Sequence, residues 1–368
     1  MKNIQNYLDI DNMIKYIKTF RYDYYEDEMG KNITIKDIAE KAGVSASTVS
    51  LVLNNKGYVA EETRNKIQKV IEDMDYRPLH SARKLATRLT DNIGYIVWED
   101  HFSEVEAFYS QIFLGMEYAT RDSDQYILLT TVKEEFDPKT DLPRFLKYND
   151  VDGVALAGRV PHSLIDYLSK KNIPFVLIDY GLSGRTCNSI VIDNYTGGYK
   201  ATQHLVDKGR KKISFVGGSF IHPSIKERYR GYQDVIRENG LDTEDYFDKY
   251  TYLKKEETLP SIGKEGVRKL FNGKDQPDAI FCCNDTTALG VISELKNIGK
   301  EIPKEVAVVG FDDIPPASLS QPSLSTVRVP KLTIGKESYK LLQELIQNPQ
   351  ATPQTRTISV EFIERDSS

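Results

Sequence analysis

Between Thr34 and about residue 76, apolar residues recur at three- and four-residue intervals in short blocks punctuated by single glycines, a spacing that predicts three helices. Thr34 stands where it can cap a first helix over Ile35 to Ala42, with Asp37 in the first turn, where a negative charge is favourable. Gly43 permits a tight turn, and Ser45 opens a second helix that runs to about Leu53. A third begins at Glu61, with Thr63 and Arg64 toward solvent and Ile67, Val70 and Ile71 toward a core. Three helices of this size bury a small core and present the second outward, the geometry of a helix-turn-helix module. Pro78 ends it. Leu79 to Thr90 carries Arg83, Lys84 and Arg88 with little that could pack, and reads as a linker.

Beyond Thr90 the pattern changes to short apolar runs alternating with helical segments. Strands are predicted over Ile93 to Trp98, Tyr126 to Thr131, Gly153 to Ala157 and Pro174 to Ile178. A second set follows at Ile190 to Ile192, Ile213 to Val216, Ala279 to Cys283 and Val306 to Phe311. The helices between them call for parallel sheets with crossover connections. So many strands crowd a single sheet, and two doubly wound lobes of similar size follow, with ligand chemistry at the strand C-terminal ends and in the crevice between lobes. The fold class is therefore α/β, a helix-turn-helix module on a two-lobed core. Ahead of it, Ile4, Tyr7, Ile10, Ile14 and Ile17 fall at helical spacing before the acidic cluster Glu26, Asp27 and Glu28. This stretch reads as a poorly ordered extension without separate activity, and Met29 offers an alternative start.

Composition narrows the class. With 368 residues, 40% hydrophobic and 28% charged, the chain is an ordinary globular one of two or three domains. Three cysteines, Cys187 alone and Cys282 beside Cys283, form neither a disulfide framework nor a zinc or redox spacing, so a reducing compartment is expected. No apolar run reaches the roughly 18 residues a membrane span requires. Asp9 and Asp11 interrupt any signal-peptide core, and the expected location is cytoplasmic. The net charge of −5 conceals an asymmetry: residues 31–90 hold 11 basic and 7 acidic side chains, a net of +4, which leaves −9 for the rest. A small module suited to polyanions is attached to an acidic body.

Candidate catalysis is thin. His80, His101, His162, His204 and His222 show no metal-ligand spacing, no Gly-x-Ser-x-Gly elbow occurs, and neither a Walker loop nor a GxGxxG is present. Gly217 and Gly218 read as turn glycines, and no metal or cofactor is expected. Polar residues instead gather where predicted strands end: Asp179, then Asn284 with Asp285, then Asp312 with Asp313, while Arg228 opens a helix just before Gly231. Each alone reads as a helix cap or loop residue. Converging on one cleft they make a hydrogen-bonding cage for vicinal hydroxyls, to which Trp98, Phe108 and Tyr109 add apolar faces. Binding a small polyhydroxy compound follows more readily than breaking it down, although paired carboxylates leave a glycosidase-type reading open.

The run ITIKDIAEKAGVSASTVSLVLNNKGYVAEETRNKI, followed by DYRPLHSARKLAT, closely resembles the N-terminal signature of the lactose-repressor (LacI/GalR) family of bacterial transcription regulators. The likeness continues through SFVGG, ERYRGY, PDAIFCCNDTTALG and VAVVGFDDIPPASLSQPSLSTVRVP, from about Ile33 to Ile363. It implies a core similar to sugar-binding periplasmic proteins and a small effector in the interlobe cleft that alters DNA affinity. Position by position, it implies a second helix in the major groove, with Ala46 and Ser47 facing bases and Ser45, Thr48 and Ser50 near phosphates or base edges. Thr34 joins this DNA-facing set, and Asn54, Tyr58 and Thr63 match backbone anchors. Leu51 stands where many relatives place an arginine or histidine. It can pack on a thymine methyl but cannot donate to guanine, which points to an operator different from the usual one. Leu79 to Ala86 would fold into a hinge helix on binding, and Leu85 of each subunit would wedge into the minor groove, flanked by Ala82 and Arg83. Leu79 replaces a common asparagine, so that helix is less well capped. In the body, Arg228 matches the effector-contacting arginine of an RxxG motif. Asp179, Asn284 and Asp312 match polar cleft positions, and Phe108 and Tyr109 resemble aromatics that cover the ligand ring.

These readings divide the chain into an extension (1–30), a helix-turn-helix domain (31–78), a hinge or linker (79–90) and an effector-binding and dimerisation core (91–368). Within the core, lobe 1 takes about 91–191 plus 328–356, and lobe 2 about 192–327 plus 357–368. The expected function is a non-enzymatic, homodimeric repressor of a carbohydrate-utilisation operon, with a tetramer left open. It would bind a near-palindromic double-stranded operator and be released by a sugar, a galactose-like or pentose sugar being preferred among mono- and disaccharides. Inducer and corepressor would use the same cleft. A purine or a phosphorylated protein partner is the alternative effector within the family. A sugar receptor without a DNA role would need a signal peptide and would lack the basic module.

Overall fold

The structure, a computed structural model, describes residues 33–53, 57–76, 89–101, 108–121, 123, 125–182, 186–220, 222–254 and 259–368. The expectations for residues 1–30, for Asn54 and for the hinge residues Ala82, Arg83 and Leu85 lie outside them. The chain divides between Arg88 and Leu89 into two compact units.

In the first unit, helix α1 spans Ile35–Ala42. Thr34 and Asp37 close a capping box: the Thr34 hydroxyl accepts from the Asp37 N–H at 3.4 Å, and Asp37 Oδ2 accepts from the Thr34 N–H at 2.7 Å. Gly43, at φ 64°, ends the helix in the left-handed region and returns its N–H to the carbonyls of Ala39 and Glu40. Helix α2 spans Ala46–Leu53, and the Ser45 hydroxyl accepts from the Thr48 N–H at 3.1 Å at its start. Helix α3 spans Glu61–Asp73, with Glu61 and Glu62 in its first turn. Ile38, Ala42, Val49, Val52, Ile67 and Val70 form the core the three helices share. Thr63 and Arg64, expected in solvent, are half-buried. They lie one helical turn before Ile67 and therefore share its side of α3.

The second unit contains two six-stranded sheets. The first comprises β1 Asn92–Trp98, β2 Tyr126–Val132, β3 Gly153–Ala157, β4 Phe175–Ile178, β5 Ser189–Ile192 and β11 Thr355–Ile358. Their order is β11-β5-β4-β3-β1-β2, and every pairing is parallel. The second comprises β6 Ile213–Gly217, β7 Thr251–Leu253, β8 Ala279–Cys282, β9 Ala307–Asp312, β10 Ser325–Arg328 and β12 Glu361–Ile363, ordered β12-β10-β9-β8-β6-β7. Only β12 runs antiparallel, against β10. Strands β3, β8 and β9 are buried at every residue, as parallel strands covered on both faces must be.

The longer helices of this unit are α4 Phe108–Thr120, α6 His162–Lys170, α7 Asn194–Asp207, α8 Pro223–Glu238, α10 Pro260–Leu270, α11 Asp285–Asn297 and α13 Lys331–Gln347. Short α5 Arg144–Lys147, α9 Tyr246–Tyr250 and α12 Pro315–Leu319 lie between them. The chain passes between the sheets three times, at Asp193, between Arg328 and Lys331, and between Ile358 and Glu361. Because β11 runs to Ile358, the return to the first sheet ends beyond residue 356, the expected boundary. Strands β7, β10, β11 and β12 were not anticipated: each is short, and all but β10 are only partly buried, so none shows the continuous apolar run that marked β4, β5 and β8. Among the described residues no helix is long and apolar enough to cross a membrane, and no cluster of His, Cys, Asp and Glu is arranged to hold a metal.

Candidate functional site

The C-terminal ends of both sheets converge on one cavity of about 100 Å³, lined from the first sheet's side by His101, Phe108, Tyr109 and Asp179. From the second come His222, Ser224, Ile225, Arg228, Cys283, Asn284 and Asp312. Arg228 projects from α8 and is only 5% exposed. Its Nε donates to Asn194 Oδ1 at 2.8 Å, one Nη to the Cys283 carbonyl at 2.5 Å, and the other to Asp312 Oδ1 at 3.4 Å. The guanidinium also lies over the Phe311 ring, 3.6 Å from its centroid. Three of its donors and one face of the cation are thus engaged by the protein, and the side chain still borders the cavity. Gly231, three residues on, makes this placement possible: a Cβ there would fall within 3.0 Å of the Tyr195 carbonyl oxygen, so α8 packs directly on the backbone of α7.

Asp179 follows β4 with φ 55° and Asp312 ends β9 with φ 112°, both outside the usual region for residues with side chains. The Tyr109 hydroxyl donates to Asp179 Oδ2 at 3.3 Å, while Oδ1 is shut from solvent and meets no partner. Burial pushes the Asp179 carboxyl up to about 7, Arg228 pulls it back, and Asp312 raises it further. Burial also raises Asp312, against the pull of Arg228 and Lys331. His101 stacks on Tyr109 with ring centroids 5.0 Å apart, and Phe108 meets Tyr109 edge-on. Burial, with His222 nearby, lowers His101 to about 4, so its ring is neutral, and its Nδ1 also has no partner. Asn284 caps α11 through its side-chain oxygen, which accepts from the Thr287 N–H at 2.9 Å.

Six of the seven residues expected around the ligand therefore meet in one place. Trp98 does not. It ends β1 and lines a separate basin with Glu134, Arg159 and His162, and its ring meets His101, a wall of the first cavity, edge-on. Asp285 and Asp313 also turn away. Asp285 is buried beneath β9, taking hydrogen bonds from Thr326 and the Ile314 N–H, and Asp313 pairs with Arg328 and Arg365. His101 and His222 were overlooked because the histidines were tested only for metal spacing. Their position just past the ends of β1 and β6 was the signal that placed them here.

On α2 of the first unit, Ser45, Ser47 and Leu51 are exposed, Ala46, Thr48 and Ser50 are half-buried, and Val49 and Val52 face the core. The Ser45 hydroxyl meets those of Ser47 at 2.6 Å and Thr48 at 2.8 Å. Tyr58 is 95% exposed, and Thr34 is exposed at its cap. A helix with short hydroxyl side chains and one leucine outward, flanked by an exposed tyrosine, can approach a grooved polyanion closely.

Comparison with known proteins accounts for both units. Residues 34–78 match the bacterial regulatory proteins of the lacI family, and residues 202–368 match a periplasmic binding protein-like domain. The HTH-type transcriptional repressor PurR of Vibrio cholerae is 31% identical over 337 residues, covering 91% of this chain and 97% of the relative. That of Mannheimia succiniciproducens is 32% identical over 336 residues, covering 91% and 98%. Among solved structures, a transcriptional regulator CelR–cellobiose complex aligns with a TM-score of 0.69 at 26% identity, over 91% of this chain and 100% of that one. The lac repressor dimer bound to operator and the anti-inducer ONPF aligns at 0.75 and 24% identity, over 92% and 99%. The chain belongs to the lacI family of bacterial regulatory proteins, DNA-binding transcription repressors that carry a helix-turn-helix ahead of a periplasmic-binding-protein-like core.

Proposed function

We propose that the protein is a homodimeric, operator-binding repressor whose hold on DNA is set by a neutral, hydroxyl-rich small molecule, a sugar, bound where Asp179 and Arg228 face each other across the cleft. The observation that carries this reading is the pair of unpartnered buried atoms, Asp179 Oδ1 and His101 Nδ1, beside a guanidinium already neutralised by Asp312. Buried polar atoms without partners are costly, and a ligand hydroxyl, which both donates and accepts, satisfies them without adding charge. Phe108 and Tyr109 supply the ring faces. On the DNA side, Ala46, Ser47 and Leu51 read bases, Thr34, Ser45, Thr48, Ser50, Tyr58 and Thr63 hold the backbone or base edges, and the hinge carries the Leu85 wedge. A structural relative, CelR, is known in complex with cellobiose, a sugar.

A purine is the second reading. It is favoured by the relatives at 31% and 32% identity, both named PurR.

The test is a thermal-shift screen of the full chain against sugars, purine bases and nucleosides. Each hit is then titrated against duplexes selected from a random pool, with anisotropy as the readout. A sugar that stabilises the protein and changes DNA affinity about 5- to 150-fold, the range of ordinary coupling energies, is the expected result. A purine that does both while no sugar binds replaces this reading with the second.

A further inference from the structure

Helix α2 carries no charge. Its eight residues, ASTVSLVL, include neither an acid nor a base, and none of the arginine, lysine, asparagine or glutamine side chains that grip a purine edge at two points. Only Ser47 and Leu51 are exposed along it, one turn apart and therefore on one face. Leu51, 39% exposed, is the longer of the two, and in a helix-turn-helix unit the second helix lies in the major groove, so the leucine reaches the base edges ahead of the serines beside it. Its side chain is also supported. Gly57, at φ 72°, brings the chain back past α2, and a Cβ there would lie 3.3 Å from one Leu51 methyl and 3.8 Å from the other. The leucine therefore has its own backbone against one side and leaves the other open to the groove.

Resting on the reading of α2 as the helix that faces bases, we infer that at the base pair under Leu51 the protein reads the pyrimidine 5-methyl group and nothing else, so that thymine and 5-methylcytosine are equivalent there while cytosine is rejected. The chemistry of α2 separates the methyl from the rest of the base edge. In the major groove thymine presents the acceptor O4 beside its methyl, and cytosine presents a donor, its N4 amino group, at the same place. Leucine hydrogen-bonds to neither. The Ser47 and Ser50 hydroxyls donate to O4 or accept from the amino group equally well, so they do not tell the two bases apart. The Ser47 hydroxyl meets that of Ser45 at 2.6 Å, and Ser45 meets Thr48 at 2.8 Å, a chain whose hydrogens can reverse direction without moving a heavy atom. What remains to discriminate is the methyl, which packs on Leu51 in thymine and 5-methylcytosine and is missing from cytosine and uracil.

The experiment selects an operator from a random duplex pool with the full-length protein, then replaces the thymines of a half-site one at a time and measures affinity by anisotropy at one salt concentration. At one position, uracil, which lacks only the methyl, should bind about fourfold more weakly than thymine, the effect of one methyl group leaving an apolar contact. Cytosine paired with guanine should also bind more weakly there, and 5-methylcytosine should return the affinity to within about twofold of thymine. Leu51→Ala should bind the thymine and uracil duplexes alike. Leu51→Arg, with a long side chain at the same exposed place, should prefer guanine at that position, which guards against misfolding of the alanine variant. The inference is overturned, and the operator reading kept, if no thymine responds to loss of its methyl, if the response persists in either variant, or if 5-methylcytosine binds no better than cytosine. Failure of the pool to yield any preferred duplex overturns both.

Discussion

Asp179 carries the residue-scale consequences. Its carboxyl sits at about 7 because burial penalises the charge, whereas an aspartate in an unfolded chain titrates near 4. The folded protein therefore holds this proton more tightly, and the stability it contributes is fully present below about pH 4 and lost as pH rises through 7. Asp179→Asn removes the titration while keeping an oxygen for the Tyr109 hydroxyl. The melting temperature of the variant, relative to the wild type, should rise between about pH 5.5 and pH 8.5. Asp285, raised to about 8 by burial, is common to both proteins and cancels in the comparison. A difference in calorimetric midpoint that stays flat with pH would remove Asp179 from this role. Arg228 behaves otherwise. It holds Asn194, the Cys283 carbonyl and Asp312 together, so Arg228→Ala leaves a buried carboxylate unpaired and should cost about 3–5 kcal/mol in urea unfolding. A loss below about 1 kcal/mol would show that the pair is solvated rather than structural. The polar set was legible in the sequence because a doubly wound fold puts functional residues at strand C-termini. The direction of Trp98 was not: as the last residue of β1 it takes the face opposite to Val97, and one chain position decides which basin it enters.

Among elements, the decisive packing is helix on helix through glycine. Gly115 of α4 and Gly335 of α13 meet backbone to backbone, as do Gly198 and Gly231 of α7 and α8, and Gly263 and Gly290 of α10 and α11. In each pair a Cβ would enter the partner's main chain inside 3.0 Å, where nothing flexible can yield. Gly335→Ala should therefore destabilise the core by about 1–3 kcal/mol despite the better helix propensity of alanine. Chemical denaturation decides it, and a variant as stable as the wild type would mean that the helices separate without cost. In the sequence the core helices were placed only as segments between strands, and the sheet edges were missed. An amphipathic repeat survives over a dozen residues, but β7 and β12 have three residues each and β11 shows an alternating, half-exposed pattern indistinguishable from loop. In the first unit the helix ends are legible too: the Thr34–Asp37 box and Gly43 mark both ends of α1 in the sequence itself. Thr34→Ala should cost about 0.5–2 kcal/mol in that unit.

For the whole molecule, the cleft lies between two sheets joined only by three short connections, and its wall residues are divided between them. A ligand bridging Asp179 from one sheet and Arg228 from the other gains most when the sheets hold it together, so binding biases their relative arrangement. One connection is itself pinned: the buried Lys331 ammonium donates to the carbonyls of Val329, Asp312 and Asp313, which couples this passage to the strand end that carries the site carboxylate. If that arrangement is what the DNA-binding unit senses, the coupling must be reciprocal. An effector that changes operator affinity by a given factor must have its own affinity changed by the same factor when operator is bound. The measurement is the effector dissociation constant with and without saturating operator duplex, compared with the operator dissociation constant with and without saturating effector, at one salt concentration because phosphate contacts make DNA affinity steeply salt-dependent. Equal factors are expected for the wild type, and both should collapse toward one in Asp179→Asn at effector concentrations that saturate it, since an amide nitrogen, which only donates, then stands where the unpartnered Oδ1 can accept. Unequal factors would mean that DNA affinity responds to something other than occupancy of this cleft.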